Sequence, residues 1–318
     1  MNHYFLFFYF ICLLIFATTP TDALQASKKK ILFIVNPISH GLREVNFQRV
    51  VEKNLDLSEF EYKIVYTEYP KHAVELTQKA LNDRIDIVAA VGGDGTVNEI
   101  GKTLVKSATA LAIIPAGSGN GLARHLGIPI DPVQAVKALN HAQTIVIDTA
   151  KINNQTFLSV AGIGFDARIA WEFASFGKRG KLAYLQVALK EFPSYDSKPY
   201  LLTIDGKQTL KKAFILSFAN GSQYGNGFMI ASQARLQDGY LDLIIVEELP
   251  TYALPAFLYR FKQGTLHESG RVESIRFKEL TIHQQRTEGH VDGEPVAFQG
   301  DIKVEIQPAS LKVLVPAF

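Results

Sequence analysis

Strand-like runs alternate with helically spaced segments in the first part of the chain. The runs typical of strands lie at residues 31–35, 61–67, 85–91 and 111–115. Apolar residues recur on one helical face over residues 44–54, 72–81 and 96–105. Strands that alternate with helices pair in parallel through right-handed crossovers. The pattern therefore predicts a doubly wound α/β domain, which we place at residues 28–142.

The pattern changes near residue 143, after which strand-like runs dominate. They lie at residues 144–152, 155–163, 199–206, 211–220, 241–248, 274–283 and 302–308. Turn signals such as Asp205-Gly206 and Asp238-Gly239 separate them, and one long helix is predicted at residues 181–192. These features predict an antiparallel β domain over residues 143–318, with a C-terminal end that can return to the first domain.

Residues 1–27 form an apolar N-terminal segment with three open interpretations. Residues 4–17 are apolar throughout, which suits the core of a signal peptide and falls short of the ~20 residues of a membrane-spanning helix. No Lys or Arg precedes this run, whereas three lysines at residues 28–30 follow it and favour an anchor with the remaining chain in the cytoplasm. The third interpretation is a start-site extension, with the true chain beginning near Ser27.

Composition narrows the class of protein. A chain of 318 residues with 47% hydrophobic residues can bury the cores of two ordinary domains. A net charge of +2, with no basic block longer than three lysines, argues against nucleic acid as a partner. The single cysteine, Cys12, cannot form an internal disulfide, and the eight histidines lack zinc-ligand spacing. The candidates for chemistry are therefore glycine-rich loops and carboxylates.

The first candidate is GGDGT at residues 92–96, which follows a buried strand and precedes a helix. In a parallel sheet this is the edge that presents a ligand crevice. Glycines at positions 92, 93 and 95 let backbone N–H groups approach an anion, and the helix adds its positive end. Because Asp94 does not itself favour a phosphate, we expect it to hold Mg²⁺. The sequence predicts a phosphate site here.

Two further loops occupy equivalent places. GSGNG at residues 117–121 follows the next strand, with Ser118 able to reach a phosphate and Asn120 able to cap the following helix. NPISHG at residues 36–41 closes the first strand. A P-loop is rejected, because five residues separate Gly95 from Gly101 where that motif has four. Lys102 is consequently predicted to be a solvated helix residue.

The β-rich half contributes HVDGEPV at residues 290–296. Asp292 and Glu294 flank a glycine, and residues two apart on a strand point to the same side. A turn at Asp-Gly would instead splay them. The spacing leaves open a paired-carboxylate site or a plain hairpin turn.

NPISHG, GGDGTVNE, PAGSGNGLARHLGIP, DGYLDLIIV and VDGE, in this order, resemble the diacylglycerol kinase catalytic-domain family, which includes bacterial lipid kinases and sphingosine and ceramide kinases. The resemblance covers residues 29–318. It implies an N-terminal α/β nucleotide-binding domain and a C-terminal β-sandwich, with the active site in the cleft between them. This two-domain architecture agrees with the pattern of strands and helices.

The resemblance also implies roles for individual residues. Those expected to bind ATP are Asn36, Pro37, Ile38, Ser39, His40, Thr67, Gly93, Asp94, Gly95, Thr96, Val97, Asn98, Glu99 and Ser118. Glu294 is the expected proton acceptor, with Asp292 supporting it, and partial burial would help by raising the pKa of Glu294. Asp94 and Asp148 are expected in the active-site metal network, and Arg235, Asp238 and Tyr240 at a second, structural Mg²⁺. Gly121 departs from the aspartate of many bacterial diacylglycerol kinases.

The expected activity is ATP- and Mg²⁺-dependent phosphorylation of a hydroxyl on a membrane lipid of the diacylglycerol, sphingoid or ceramide type. The expected partners are ATP, the lipid and a membrane surface, at its cytoplasmic face, and a homodimer is left open. Two alternatives remain: a kinase of a soluble substrate such as NAD, and a nucleotide- or lipid-binding protein without catalysis.

Overall fold

The structure is a computed structural model that describes residues 28–42, 45–176 and 181–317. The apolar N-terminal segment and its three interpretations lie outside this range. None of the helices among the described residues is long and apolar enough to cross a membrane.

The first half has the predicted alternation of strands and helices. Its strands are β1 (Lys29–Val35), β2 (Phe60–Tyr66), β3 (Ile87–Gly92) and β4 (Ala110–Pro115). Its helices are α1 (Phe47–Asn54), α2 (His72–Asn82), α3 (Asp94–Leu104), α4 (Gly121–His125) and α5 (Pro132–Leu139). The strands pair in parallel in the order β2-β1-β3-β4. Every residue of β3 and β4 is buried, as expected where helices cover both faces of a parallel sheet.

The second half is built largely from strands. They are β5 (Ala142–Ile152), β6 (Gln155–Phe157), β7 (Val160–Gly164), β8 (Lys198–Ile204), β9 (Lys207–Ala213), β10 (Ile215–Ala219), β11 (Leu241–Val246), β12 (Val272–Phe277), β13 (Glu279–His283), β14 (Arg286–Val291), β15 (Glu294–Gln299) and β16 (Ile302–Pro316). One sheet, in the order β12-β11-β10-β7-β14-β15, is antiparallel throughout. A core of buried side chains that includes Phe157, Phe218 and Phe277 joins the two sheets. The predicted combination of an α/β domain and an antiparallel β-sandwich is confirmed.

The last strand connects the two halves. β16 pairs with β5 and β13 in antiparallel fashion and meets β4 in parallel at Val313 and Leu111. Its register shifts between Gln307 and Leu311, where Ala309 has a φ of 45°. The first sheet therefore runs through both halves of the chain, and the core that contains Phe157, Phe218 and Phe277 packs it against the second sheet.

Among the described residues, three α-helices, and not the single predicted one, interrupt the second half. They are α6 (Phe165–Ser175), α7 (Lys181–Glu191) and α8 (Leu254–Gln263). Side chains from all three join one apolar cluster with residues of β10 and β11. The sequence pattern missed α6 and α8 because each contains three aromatic residues, which favour strands.

Candidate active site

The three predicted loops meet at the carboxyl ends of β1, β3 and β4. The Asn36 amide donates to Thr96 Oγ1 at 3.2 Å, which joins the first loop to GGDGT. The Gly41 N–H donates to the Ala116 carbonyl at 3.0 Å, and the Ala116 N–H donates to the Gly92 carbonyl at 2.8 Å. The loops therefore form one crevice, as parallel strands with a common edge predict.

Two glycine contacts explain the sequence of these loops. A Cβ at Gly117 would lie 2.4 Å from the Cα of Gly93, so the two loops touch through their backbones. A Cβ at Gly119 would lie 2.5 Å from the Oδ2 atom of Asp94. Neither approach leaves room for a side chain, and the glycines are required by packing at these positions.

Asp94 begins α3 and joins GGDGT to GSGNG. Its two carboxylate oxygens accept the N–H groups of Asn120 at 2.8 Å and Gly121 at 2.7 Å, at the start of α4. Burial raises the pKa of Asp94, these two N–H groups oppose the rise, and the charge of Asp292 adds to it. The carboxylate keeps acceptor capacity beyond these N–H donors.

Asn120 does not cap α4 with its side chain as expected. Asn120 has a left-handed backbone conformation, and its side chain points back to Gly117. The side-chain amide accepts the Gly117 N–H at 3.1 Å and donates to the Gly117 carbonyl at 2.9 Å. Asp94 has taken the capping position. Asn120 instead fixes the shape of the loop.

The VDGE segment is a hairpin turn that also delivers a carboxylate. Asp292 and Gly293, with φ values of 49° and 86°, form the two-residue turn between β14 and β15. The Asp292 carboxylate accepts the N–H groups of Leu158 at 2.9 Å, Ser159 at 2.8 Å and Val160 at 3.1 Å. It also accepts the Asn98 amide from α3. The hairpin-turn interpretation of this motif is confirmed, and the paired-carboxylate site stays a prediction.

These contacts also explain why the predicted strand at residues 155–163 is broken. β6 ends at Phe157 and β7 begins at Val160, and the N–H groups between and beside them bind Asp292. Two N–H donors on each carboxylate oxygen fill the roughly four lone-pair positions of an ionised Asp292. Asp292 is thus a support for the hairpin, with no capacity left for a proton or a metal ion.

Glu294, the predicted base, stands beside this support at the start of β15. Its side chain is exposed, so the partial burial expected for it is not seen. Burial raises the pKa of Asp94, Asp292 and Glu99. Glu294 acts on Glu99 through its charge, which raises the pKa of Glu99 further. The exposed position leaves the Glu294 carboxylate open to solvent, near enough to α3 to act on Glu99.

The remaining residues predicted to bind ATP divide by exposure. Pro37, Ile38, His40, Gly95 and Ser118 are exposed, whereas Ser39, Thr96 and Asn98 are buried. Thr67 is half-buried beside the first loop, where its N–H donates to the Val35 carbonyl at 2.9 Å. Val97 was expected to line the nucleotide site, but its side chain is buried in the first core. The Val97 side chain lies on the inner face of α3, and a contact between Val97 and the nucleotide stays a prediction.

Asp148 lies with the second predicted metal group and does not contact Asp94. Its carboxylate accepts the N–H groups of Gly239 at 2.8 Å and Ala309 at 2.7 Å. It therefore closes the loop that carries Asp238 onto the irregular part of β16. Its predicted place in the active-site network stays a prediction.

The loop of Arg235, Asp238 and Tyr240 is held by an ion pair. Asp238 Oδ2 lies 2.6 Å from Arg276 Nη2, and Asp238 Oδ1 accepts the Tyr240 N–H at 3.1 Å. The Arg276 guanidinium also lies 4.3 Å from the centre of the Tyr240 ring, and the Arg235 side chain is exposed. The carboxylate charge is already matched by Arg276, and a structural Mg²⁺ here stays a prediction.

A buried polar cluster beside the hairpin was missed by the sequence analysis. Asp166 Oδ2 accepts Tyr224 at 2.7 Å and Ser217 at 3.0 Å, and lies 3.0 Å from His290 Nε2. Asp166 and His290 are only 4% and 3% exposed. His290 lies two residues before Asp292, so the cluster anchors β14. Its members are dispersed over three elements and the loop that follows β10, and no sequence spacing links them.

The comparisons with known proteins agree with this arrangement. Residues 30–152 match the family described as the diacylglycerol kinase catalytic domain. Residues 159–315 match the YegS C-terminal NAD kinase beta sandwich-like domain. The two matches together include the three glycine loops and the hairpin.

Curated relatives match along most of their length. The chain is 29% identical over 300 residues to a probable lipid kinase YegS-like protein of Pseudomonas aeruginosa, covering 91% of this chain and 95% of that protein. It is 32% identical to a probable lipid kinase YegS-like protein of Klebsiella pneumoniae, covering 77% and 82%. It is 30% identical to a diacylglycerol kinase of Mycobacterium tuberculosis, covering 77% and 81%.

Solved structures show the same fold. A putative diacylglycerol kinase of Bacillus anthracis superposes with a TM-score of 0.73 at 24% identity, covering 90% of this chain and 95% of that chain. A second diacylglycerol kinase structure from that organism gives a TM-score of 0.71 at 21% identity, covering 91% and 97%. With the matched domains and relatives, they lead to one conclusion: the chain belongs to the diacylglycerol kinase catalytic-domain family of lipid kinases, and it is a phosphotransferase with an alcohol group as acceptor.

Proposed function

We propose that this enzyme uses ATP and Mg²⁺ to phosphorylate a hydroxyl group of a membrane lipid of the diacylglycerol, sphingoid or ceramide type. The observation that carries the proposal is the bond from Asn98 on α3 to Asp292 at the hairpin tip. This bond joins the glycine-loop crevice of the first half to the carboxylates of the second. A phosphate donor and a hydroxyl acceptor would meet between them.

The residues would divide the reaction between the two halves. The N–H groups of the glycine loops and the N-terminal end of α3 would hold the phosphates of ATP. The lipid hydroxyl oxygen would attack the γ-phosphorus, the bond to the ADP oxygen would break, and Glu294 would take the hydroxyl proton. Since Asp292 has no acceptor capacity left, Glu294 is the carboxylate of this pair that is free to do so.

Mg²⁺ fits the residues that are present. Among the described residues, no three His, Cys, Asp or Glu side chains form a group able to hold a metal ion by themselves. Mg²⁺ at kinase sites is commonly bound through one or two carboxylates together with substrate phosphates. Asp94 offers hard oxygen atoms with remaining acceptor capacity and would hold the ion. When bound, the ion would neutralise charge on the transferred phosphoryl group.

The test is an incubation of the enzyme with γ-labelled ATP, MgCl₂ and mixed vesicles that contain diacylglycerol, sphingosine and ceramide. We expect label to enter the organic phase, and thin-layer separation of that phase identifies the lipid. Asp94→Ala serves as the control and should lower the rate by at least about two orders of magnitude while leaving circular dichroism unchanged. Label found only in water-soluble products would overturn the lipid assignment in favour of a soluble-substrate kinase. No transfer at all would indicate a binding protein.

The cytoplasmic face of a membrane is part of the same proposal. ATP is an intracellular nucleotide, and a diacyl or sphingoid lipid resides in a bilayer. Sedimentation of the protein with lipid vesicles, and fractionation of cells that express the full chain, test this location directly.

A further inference from the structure

Lys102 lies where the sequence analysis expected only solvent. It is on α3, eight residues after Asp94, and its side chain is half-buried. Asn98, one helical turn earlier, donates its amide to Asp292. Residues four apart on a helix lie on the same face, about 5–6 Å apart at Cβ. Lys102 therefore faces the hairpin that carries Asp292 and Glu294.

The neighbouring contact shows how closely α3 packs at this point. A Cβ at Gly101 would lie 2.5 Å from the Cδ1 atom of Leu158. Leu158 is also the residue whose N–H donates to Asp292 Oδ2 at 2.9 Å. The helix and the backbone that binds Asp292 are thus in direct contact, and Lys102 cannot turn away from this surface without leaving its half-buried position.

The charges facing Lys102 are all negative. Asp292, Glu294 and Glu99 act on Lys102 through their charges, and each of them favours its protonated ammonium form. Burial opposes this effect and lowers the pKa of Lys102. Conversely, Lys102 is the leading charged group that lowers the pKa of Asp292 against the effect of burial. Lys71 also acts on Glu99 through its charge, and Asp94 and Asp292 repel each other. Lys102 is therefore the cation that Asp292 and Glu294 have in common.

Asp292 requires such a charge. A carboxylate that accepts four hydrogen bonds does so only when ionised, because a protonated oxygen becomes a donor. Burial alone would favour the protonated form and so oppose the four bonds that fix the hairpin tip. A cation beside Asp292 resolves this conflict.

We propose that Lys102 is a positioning residue whose ammonium keeps Asp292 ionised and, through the hairpin that Asp292 holds, keeps Glu294 at the crevice. The inference about catalysis rests on the proposed function. Its ionisation part does not, because it concerns contacts within the folded chain.

The experiment compares wild type with Lys102→Met and Lys102→Arg. Met keeps the length and apolar stem without the charge, and Arg keeps the charge. Lys106→Met is the matched control, since Lys106 is exposed just beyond α3 and its loss changes net charge equally. Two measurements are made on each: the midpoint of thermal unfolding between pH 4.5 and 7.5, and the pH dependence of kcat with saturating ATP and the lipid that the vesicle assay identifies.

The unfolding midpoint tests ionisation without any need for activity. Without the ammonium, the folded pKa of Asp292 rises further above its unfolded value. An acid with a raised folded pKa loses stability as pH rises through that pKa. The unfolding midpoint of Lys102→Met should therefore lie furthest below that of wild type at pH 7.5. The difference between the two midpoints should become smaller as the pH approaches 4.5. For Lys102→Arg and Lys106→Met, the difference from the wild-type midpoint should not change with pH in this way.

The kinetic profile tests positioning. For Lys102→Met we expect kcat to fall about tenfold at neutral pH, while KM for ATP changes less than about twofold. The acid limb of the plot of kcat against pH should shift to higher pH by roughly one unit. Lys102→Arg should restore the wild-type kcat and the wild-type position of the acid limb. A uniform loss at all pH values that Arg does not rescue would overturn the positioning role, and a midpoint gap that is constant with pH would overturn the ionisation role. If wild type phosphorylates no lipid, the proposed function fails, and the midpoint gap alone decides the ionisation role.

Discussion

The glycine-loop crevice and the acidic hairpin contribute to one site by different means. In the crevice, the decisive contacts join loops that follow adjacent strands, as with Gly93 and Gly117. At the hairpin, Asp292 binds N–H groups 134, 133 and 132 residues away and an amide 194 residues away. The geometry of the crevice therefore depends on the local backbone conformation of its loops. The position of the hairpin depends on hydrogen bonds between Asp292 and segments that are distant in sequence.

The largest expected effect comes from the chemistry of the hairpin. Glu294→Gln removes the proton acceptor and keeps the size of the side chain, so turnover should fall by roughly 10²–10⁴-fold. Because Glu294 is exposed, the melting temperature should stay close to wild type. Steady-state kinetics and calorimetry on the same preparation check both statements. Near-normal turnover would transfer the role of base to another group.

The next largest effect tests the crevice. Gly117→Ala would place a Cβ 2.4 Å from the Cα of Gly93, which only a backbone shift can relieve. We expect a loss of about 1–3 kcal/mol in the free energy of unfolding, and a higher KM for ATP because the loops move apart. Gly270→Ala is the control, as no atom lies within 4 Å of its Cβ position and its φ is ordinary. Equal stability of the two variants in urea titrations would contradict the contact.

These two variants show what the sequence could and could not predict. Strand, glycine turn and helix follow one another along the chain at GGDGT and GSGNG, so periodicity and turn chemistry were sufficient to predict the crevice. The break between β6 and β7 was not predictable, because Leu158 and Ser159 resemble strand residues and leave the strand only to bind Asp292. Local propensity carries no information about a carboxylate more than 130 residues away.

Lys102 and Asp166 illustrate the same limit for the site. The spacing between Gly95 and Gly101 argues against a P-loop at Lys102. It carries no information about the carboxylates that act on Lys102 across the cleft. Asp166 reads as an ordinary residue in the first turn of a helix, yet Ser217, Tyr224 and His290 converge on it. Both residues obtain their surroundings from tertiary contacts alone.

A smaller effect tests the link between the two regions. Asn98→Ala removes one of the four donors to Asp292 and leaves the three backbone N–H groups in place. A hydrogen bond to a charged group contributes about 1.5–3 kcal/mol, part of which solvent entering the half-buried site would restore. We therefore expect a stability loss of about 1–2 kcal/mol. In a double-mutant cycle with Asp292→Ala, the two losses should fall short of additive, and strict additivity would show that the bond contributes nothing.

The smallest expected effect concerns Gly121, where many bacterial diacylglycerol kinases have aspartate. A Cβ at Gly121 would lie 3.2 Å from the Gln223 carbonyl oxygen and 3.3 Å from the Gly225 nitrogen, contacts that a shift of a few tenths of an ångström relieves. Gly121→Ala should therefore cost less than about 1 kcal/mol, well below the cost of Gly117→Ala. Gly121→Asp should cost more, because its carboxylate would approach the same carbonyl oxygen and the charge of Asp94. If Gly121→Asp instead unfolds at the same urea concentration as Gly121→Ala, the loop of residues 223–225 yields readily, and glycine is not required at this position by packing.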